Sequence, residues 1–425
     1  MTFKETIPGV KTKKHFFNLP VDYRSDDFQR LTIFARELVA SEAEFEQLPY
    51  LVFFQGGPGF SAPRPNDNEG WIKRALKEYR VLLIDPRGTG LSSPINADSL
   101  SHLTDDEKVN YLSCFRADAI VRDAEEIRQL ICANNKWSIL GQSFGGFCVL
   151  QYLGDFPDSL SAAYITGGIP LLDGHADDVY HATYQRVIEK NKAFFSRFED
   201  AQDLLTELAD YVNSNEVFLP SGERLTVEML QLIGINLGLQ HGAADVYYLI
   251  EQAIIKTPFG KKINPYFLEK FSQLIDYNSN PIFSILHEPI YSQEFATQWS
   301  AEKVRQKFPE FNYQPGKALM FTGEMIYPWM FEQFKQLIPF KEVANRLALK
   351  ADWPKLYNIE RLSNNEVPIA AAIYTEDMFV DKTLSLKTAN RIPNLKYWLT
   401  SEYEHNGIRV DGESILDKLI SLNKK

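Results

Sequence analysis

Apolar residues are spaced along the chain in two alternating ways. Residues 14–22 and 30–40 alternate loosely between apolar and polar positions and are rich in β-branched and aromatic side chains, which predicts an antiparallel entry to a sheet. Residues 50–54 and 81–84 are short continuous apolar runs, each cut off by glycine. Runs of that kind suit strands buried on both faces, as in a parallel sheet. Residues 69–79 between them predict a crossover helix. Residues 115–131 place apolar side chains at helical spacing, with acids in the middle. Residues 137–140 predict the next buried strand, 147–156 a helix stopped before Pro157, and 162–166 another strand. This β-α-β-α-β order predicts a doubly wound, mostly parallel sheet with helices on both faces.

The rhythm breaks after residue 172. Helical spacing then dominates, over residues 180–210, 226–237, 243–255 and 264–277, and aromatics are dense. Buried-strand patterning returns at 367–374 and 395–400, with helices predicted over 383–391 and 413–422. The economical reading is one α/β core, residues 1–172 and 366–425, interrupted by a large helical cap over 173–365.

Bulk composition narrows the function classes. Of 425 residues, 45 are Lys or Arg and 56 are Asp or Glu, a formal net charge of −11. That balance opposes nucleic-acid binding, which depends on cations neutralising phosphates. It weakly favours cationic ligands. The three cysteines, Cys114, Cys132 and Cys148, show no paired spacing, so neither a disulfide framework nor a metal site is expected. The N-terminus lacks an apolar signal segment, and no run of 18 apolar residues occurs. A cytoplasmic protein with no membrane partner is the expectation; oligomeric state is left open.

Chemistry is concentrated in the glycine-rich strand ends. Gly141-Gln142-Ser143-Phe144-Gly145 follows a buried strand and precedes a helix. G-x-S-x-G in that setting holds a serine on a tight turn with its Oγ pushed outward, and the helix N-terminus supplies N–H groups for an oxyanion. Ser143 is therefore the candidate nucleophile of an α/β-hydrolase. Gln55-Gly56-Gly57-Pro58-Gly59 ends an earlier strand, where this fold draws its second oxyanion donor. The amides of Gly57 and Phe144 are the expected pair. A serine hydroxyl needs a base. Of seven histidines, only His405 follows the last predicted strand. The carboxylate that orients it should follow strand 367–374. Asp377 is preferred because the loop needs a residue or two before turning inward, Glu376 is the alternative, and Asp381 is placed to cap the next helix.

Longer segments resemble the prolyl aminopeptidase (proline iminopeptidase) family in its longer form. They are Gln55 to Gly59, Asp85-Pro86-Arg87-Gly88-Thr89-Gly90, Phe115-Arg116-Ala117-Asp118 and Gly141 to Gly146. The cap adds His287-Glu288-Pro289-Ile290-Tyr291, Trp299 and Thr322-Gly323-Glu324-Met325, and Glu404-His405-Asn406-Gly407 closes the series. The order spans nearly the whole chain. Two positions depart from the family pattern: Gln55 stands where its loop usually begins with His, and Pro86 where Gln is usual. The resemblance implies release of an N-terminal residue, preferentially proline, from a peptide or small amide with a free N-terminus, without metal or organic cofactor. It implies cap carboxylates that bind the amine, Glu288 first and Glu324 second, with Gly56 and Tyr291 in the substrate site. Phe144, Phe283, Tyr291 and Trp329 are candidate pocket aromatics. A carboxylesterase or amidase on the same scaffold is the main rival, since G-x-S-x-G does not separate the two. A non-catalytic binding protein is the other.

Overall fold

The computed structural model describes residues 2–25, 29–43, 47–133 and 135–424. Eleven strands occur among them: β1 (Lys4–Ile7), β2 (Val10–Pro20), β3 (Arg30–Ala40), β4 (Tyr50–Phe54), β5 (Arg80–Ile84), β6 (Trp137–Gln142), β7 (Leu160–Thr166), β8 (Ile254–Thr257), β9 (Gly260–Ile263), β10 (Ile369–Tyr374) and β11 (Leu395–Thr400). Nine form one sheet in the order β1-β2-β3-β5-β4-β6-β7-β10-β11. The β1 to β3 end pairs antiparallel and joins β5 antiparallel; from β5 to β11 every pairing is parallel. The central strands β4, β6 and β10 are buried along their whole length, which is why they read as continuous apolar runs.

Helices cover both faces. Between the strands of the first half lie α1 (Gly70–Ala75), α2 (Asp105–Leu112), α3 (Ala117–Cys132) and α4 (Phe144–Asp155). After β7 come α5 (Ala176–Arg197), α6 (Ala201–Ser214), α7 (Val227–Gln231), α8 (Gly242–Glu251), α9 (Pro265–Leu274), α10 (Pro281–Leu286), α11 (Ser300–Arg305), α12 (Met330–Gln333), α13 (Lys341–Leu349) and α14 (Ile359–Ser363). The chain then returns to the sheet with α15 (Lys382–Ala389), α16 (Gly407–Val410) and α17 (Gly412–Lys424). One apolar cluster, with Trp71, Leu76, Ile415 and Leu419, fills one face of the sheet. The other joins core residues such as Phe54 and Val149 to Phe283, Met325 and Phe331 of the insertion. The inserted helices therefore share a core with the sheet instead of enclosing a separate one. No helix among the described residues is long and apolar enough to cross a membrane.

Several boundaries differ from expectation. The predicted helix 180–210 is two helices, α5 and α6, broken at Phe198–Asp200. The end of the predicted helix 243–255 is instead the first strand of the β8–β9 hairpin. The end of the predicted helix 226–237 winds instead, over residues 232–238, as a tighter 3₁₀ turn after α7. The predicted helix 69–79 shortens to α1, 264–277 shortens to α9, and β1 and α2 were not expected.

Arg116 ties the insertion to the core. It stands at the N-terminus of α3, fully buried, and donates to the carbonyls of Pro289 (3.1 Å), Ser292 (2.6 Å) and Pro354 (3.1 Å). Its guanidinium lies 4.3 Å from the ring centroid of Trp353, and burial pulls its pKa down to about 10. A planar fork of donors suits several carbonyls at once, which explains an arginine buried with no carboxylate in contact among the described residues.

Candidate active site

The site begins at the end of β6. Ser143 has φ 56° and ψ −128°, a backbone conformation that residues with a Cβ rarely adopt. Close packing enforces it. A Cβ on Gly145 would collide with the carbonyl of Phe54 at the end of β4, and one on Gly141 would collide with the carbonyl of Gly145. The two glycines of the motif are thus the places where strand, turn and helix backbones touch. Ser143 N donates to Thr166 O of β7 (3.0 Å), and its own carbonyl accepts Gly146 N (2.7 Å). The Phe144 amide opens α4, where N–H groups have no partner within the helix.

Gly57 lines the same cavity as Ser143. Gly56 passes so close behind it that an added Cβ would lie 2.9 Å from Ser143 Cβ. Gln55, the departure from the family pattern, is buried and also lines the cavity. Pro86 keeps its turn: its carbonyl accepts Thr89 Oγ1 (2.7 Å) and Thr89 N (3.1 Å). The adjoining Arg87 is anchored by a buried two-pronged ion pair to Asp123 (2.6 and 2.8 Å).

His405 and Asp377 come together at the far ends of β11 and β10. His405 Nδ1 lies 2.7 Å from Asp377 Oδ2, and both side chains are buried. Phe379 stacks on the imidazole, with ring centroids 4.4 Å apart. His405 lines the cavity beside Ser143, and its Nε2 faces the side-chain nitrogen of Gln142 at 3.4 Å. The histidine loop is held by the insertion: His405 N donates to Gly238 O (3.2 Å), Gln240 N donates to Asn406 Oδ1 (2.8 Å), and Lys190 pairs with Glu404 (2.5 Å). Glu376 is turned away from the histidine and faces Arg186 (3.2 Å) at the surface, and Asp381 caps α15 through the amides of Thr383 (2.8 Å) and Leu384 (3.0 Å).

The two cap glutamates sit in different surroundings. Glu324 lines the cavity, and no hydrogen bond or ion pair engages its carboxylate among the described residues. Burial, and next the charge of Asp377, raises its pKa well above the usual carboxylate value. Glu288 does not reach the cavity wall. Its oxygens accept the amides of Ser300 (3.0 Å) and Ala301 (2.8 Å) at the start of α11, and burial pushes its pKa up to about 7. Burial, and after it the charges of both glutamates, raises the pKa of Tyr180 and of Tyr291. Its neighbour His287 is pulled down to about 4 by burial and is neutral.

The aromatic expectations divide. Phe283 lines the cavity, together with Phe60, Tyr277 and Phe379. Tyr291 and Phe144 instead pack on Phe147, and Trp329 stacks on Tyr327. Polar cavity residues that sequence reasoning did not single out include Gln142 and Arg409. Their positions were available: one lies inside the G-x-S-x-G motif, the other four residues beyond the histidine.

Comparison with known proteins places the chain among relatives of known family. The sequence model of the alpha/beta hydrolase fold matches residues 49–226. The proline iminopeptidase of Aeromonas sobria is 52% identical over 419 residues, covering 98% of this chain and 98% of that protein. The proline iminopeptidase aneH of Aspergillus aculeatus is 32% identical over 435 residues, covering 99% and 96%. A crystal structure of the proline iminopeptidase of Mycobacterium smegmatis superposes with a TM-score of 0.46 at 11% identity, over 96% of this chain and 99% of that one.

Proposed function

The chain belongs to the proline iminopeptidase family of α/β-hydrolases, and from that premise we propose a serine aminopeptidase that releases an N-terminal residue, preferentially proline, from peptides. The observation that carries the residue assignments is Glu324. A carboxylate with no hydrogen-bond or ion-pair partner among the described residues stands on the wall of the cavity that holds Ser143 and His405. Such a group is costly unless a ligand compensates it, and a cationic N-terminal amine is the complementary ligand. Phe283 and Tyr277, which line the same cavity, offer apolar surface to a pyrrolidine ring.

His405 takes the Ser143 proton as Oγ attacks the carbonyl beside the amine. Asp377 holds the imidazole through Nδ1 and stabilises its charged form. The amides of Gly57 and Phe144 receive the oxyanion. His405 then protonates the leaving nitrogen, the C–N bond breaks, and water hydrolyses the acyl-enzyme by the same path in reverse. Losing either oxyanion donor lowers the rate by about a hundred- to a thousandfold. Three free, buried cysteines support a reducing compartment, and cytoplasm is the location we propose.

The test compares proline anilide with its N-acylated form, in the native enzyme and in Glu324→Gln. The free-amine substrate is expected to be cleaved much faster, and Glu324→Gln to raise its KM far more than that of a neutral ester. Faster cleavage of the acylated anilide would transfer the assignment to an esterase or amidase.

A further inference from the structure

Arg409 is a cavity residue that the proposed mechanism leaves unused. It lies in α16, four residues after His405, and lines the same cavity as Ser143, Glu324 and His405. Its backbone amide donates to Asn406 O (2.8 Å), which fixes the turn that carries it. No hydrogen bond or ion pair engages its guanidinium among the described residues. The side chain is open to solvent, yet surrounding protein lowers its pKa below the usual arginine value by burial alone. That combination describes a cation on the wall of a cleft. Asp276, an acid that lines the same cavity, already accepts the amides of Asn278 (3.0 Å) and Ser279 (3.1 Å).

The cavity thus carries two ionisable side chains of opposite type, each without a hydrogen-bond or ion-pair partner among the described residues. Glu324 comes from the insertion and Arg409 from the histidine loop, and neither is among the charges that perturb the other. A dipeptide has the matching pattern. Its ammonium flanks the scissile carbonyl, and its carboxylate follows one residue later, a step of about 3.8 Å along the backbone. His405 must reach the leaving nitrogen, so the group just beyond that nitrogen lies beside the histidine loop. A cavity of about 410 Å³ suits a small ligand of this size.

We propose that Arg409 receives the C-terminal carboxylate of dipeptide substrates, and that the enzyme therefore prefers prolyl dipeptides with a free C-terminus to their amides. The inference rests on the aminopeptidase reading above. Its test is the ratio of kcat/KM for prolyl-glycine to that for prolyl-glycinamide, with proline anilide as a substrate that has no carboxylate. The native ratio is expected to be about tenfold, the scale of one charge-assisted hydrogen bond to a guanidinium. Arg409→Gln should bring it close to one, and Arg409→Lys should restore part of it. Because each ratio is internal to one preparation, loss of folded protein cancels. A native ratio near one, or a ratio that Arg409→Gln leaves unmoved, overturns the inference; continued preference for proline anilide over its N-acylated form shows that the aminopeptidase reading survives. Failure to cleave any of the three substrates overturns both.

Discussion

Asp377 holds His405 with one oxygen and its own loop with the other. Oδ2 lies 2.7 Å from His405 Nδ1, while Oδ1 accepts the amides of Phe379 (2.8 Å) and Val380 (3.0 Å). The backbone bonds fix the carboxylate, and the carboxylate fixes the ring. Phe379, positioned by the same turn, closes the imidazole face. Orientation and charge stabilisation therefore depend on a single side chain.

Asp377→Asn keeps the shape of that turn but offers an amide to Nδ1, which selects the wrong tautomer. We expect kcat on proline anilide to fall by about 10⁴ with little change in folding. Glu376→Gln should stay within about twofold of the native enzyme, because Glu376 faces Arg186 at the surface. A larger loss from Glu376→Gln would reverse the assignment.

Glu288 gives a pH-dependent prediction. Its carboxyl rises from the ordinary 4.5 to about 7, chiefly through burial, against the opposing backbone bonds of Ala301 and Ser300. Between those values the folded protein keeps a proton that the unfolded chain has released. The contribution to stability is whole below pH 4.5 and is lost as pH rises through 7. Glu288→Gln cannot ionise, so it should gain on the native protein between pH 5 and 7.5, by roughly 3 kcal/mol at most. Urea midpoints at the two pH values measure this. A constant difference between the proteins would show that Glu288 does not titrate there. The same variant should raise the KM for proline anilide less than Glu324→Gln, since Glu288 lies behind the cavity wall.

What the sequence made legible follows from what each signal depends on. β4, β6 and β10 were readable because strands buried on both faces need continuous apolar runs. The Ser143 turn was readable because backbone contact at Gly141 and Gly145 admits no other residue type. The break between α5 and α6 was not, since Phe198 sustains the apolar spacing through the turn. Nor was the β8–β9 hairpin, whose Ile254 and Ile255 continue the apolar face of α8 in the linear pattern. The order of the two glutamates depended on tertiary geometry alone. Both sit in family-like segments, but only the path of the chain after α10 decides that Glu288 meets the start of α11 and Glu324 meets the cavity. Arg409 lay beyond the histidine at which a search for a base ends, and its lack of a partner among the described residues is visible only in three dimensions.

Strain at the nucleophile predicts an inverted response to glycine. Ser143 has φ 56° and ψ −128°, where a Cβ is disfavoured by about 1–3 kcal/mol. At an unstrained position, glycine in place of alanine destabilises a protein by roughly 0.5–1 kcal/mol, because the unfolded chain gains freedom. At 143 the release of strain should exceed that loss. Ser143→Ala and Ser143→Gly are both expected to lack turnover, since neither has a hydroxyl. Ser143→Gly should nevertheless be the more stable of the two by about 1 kcal/mol, read from urea unfolding of the pair at one pH. If the glycine variant proves less stable than the alanine variant, the turn is relaxed. The placement of Ser143 on the cavity wall then follows from the close contacts around Gly141 and Gly145 alone.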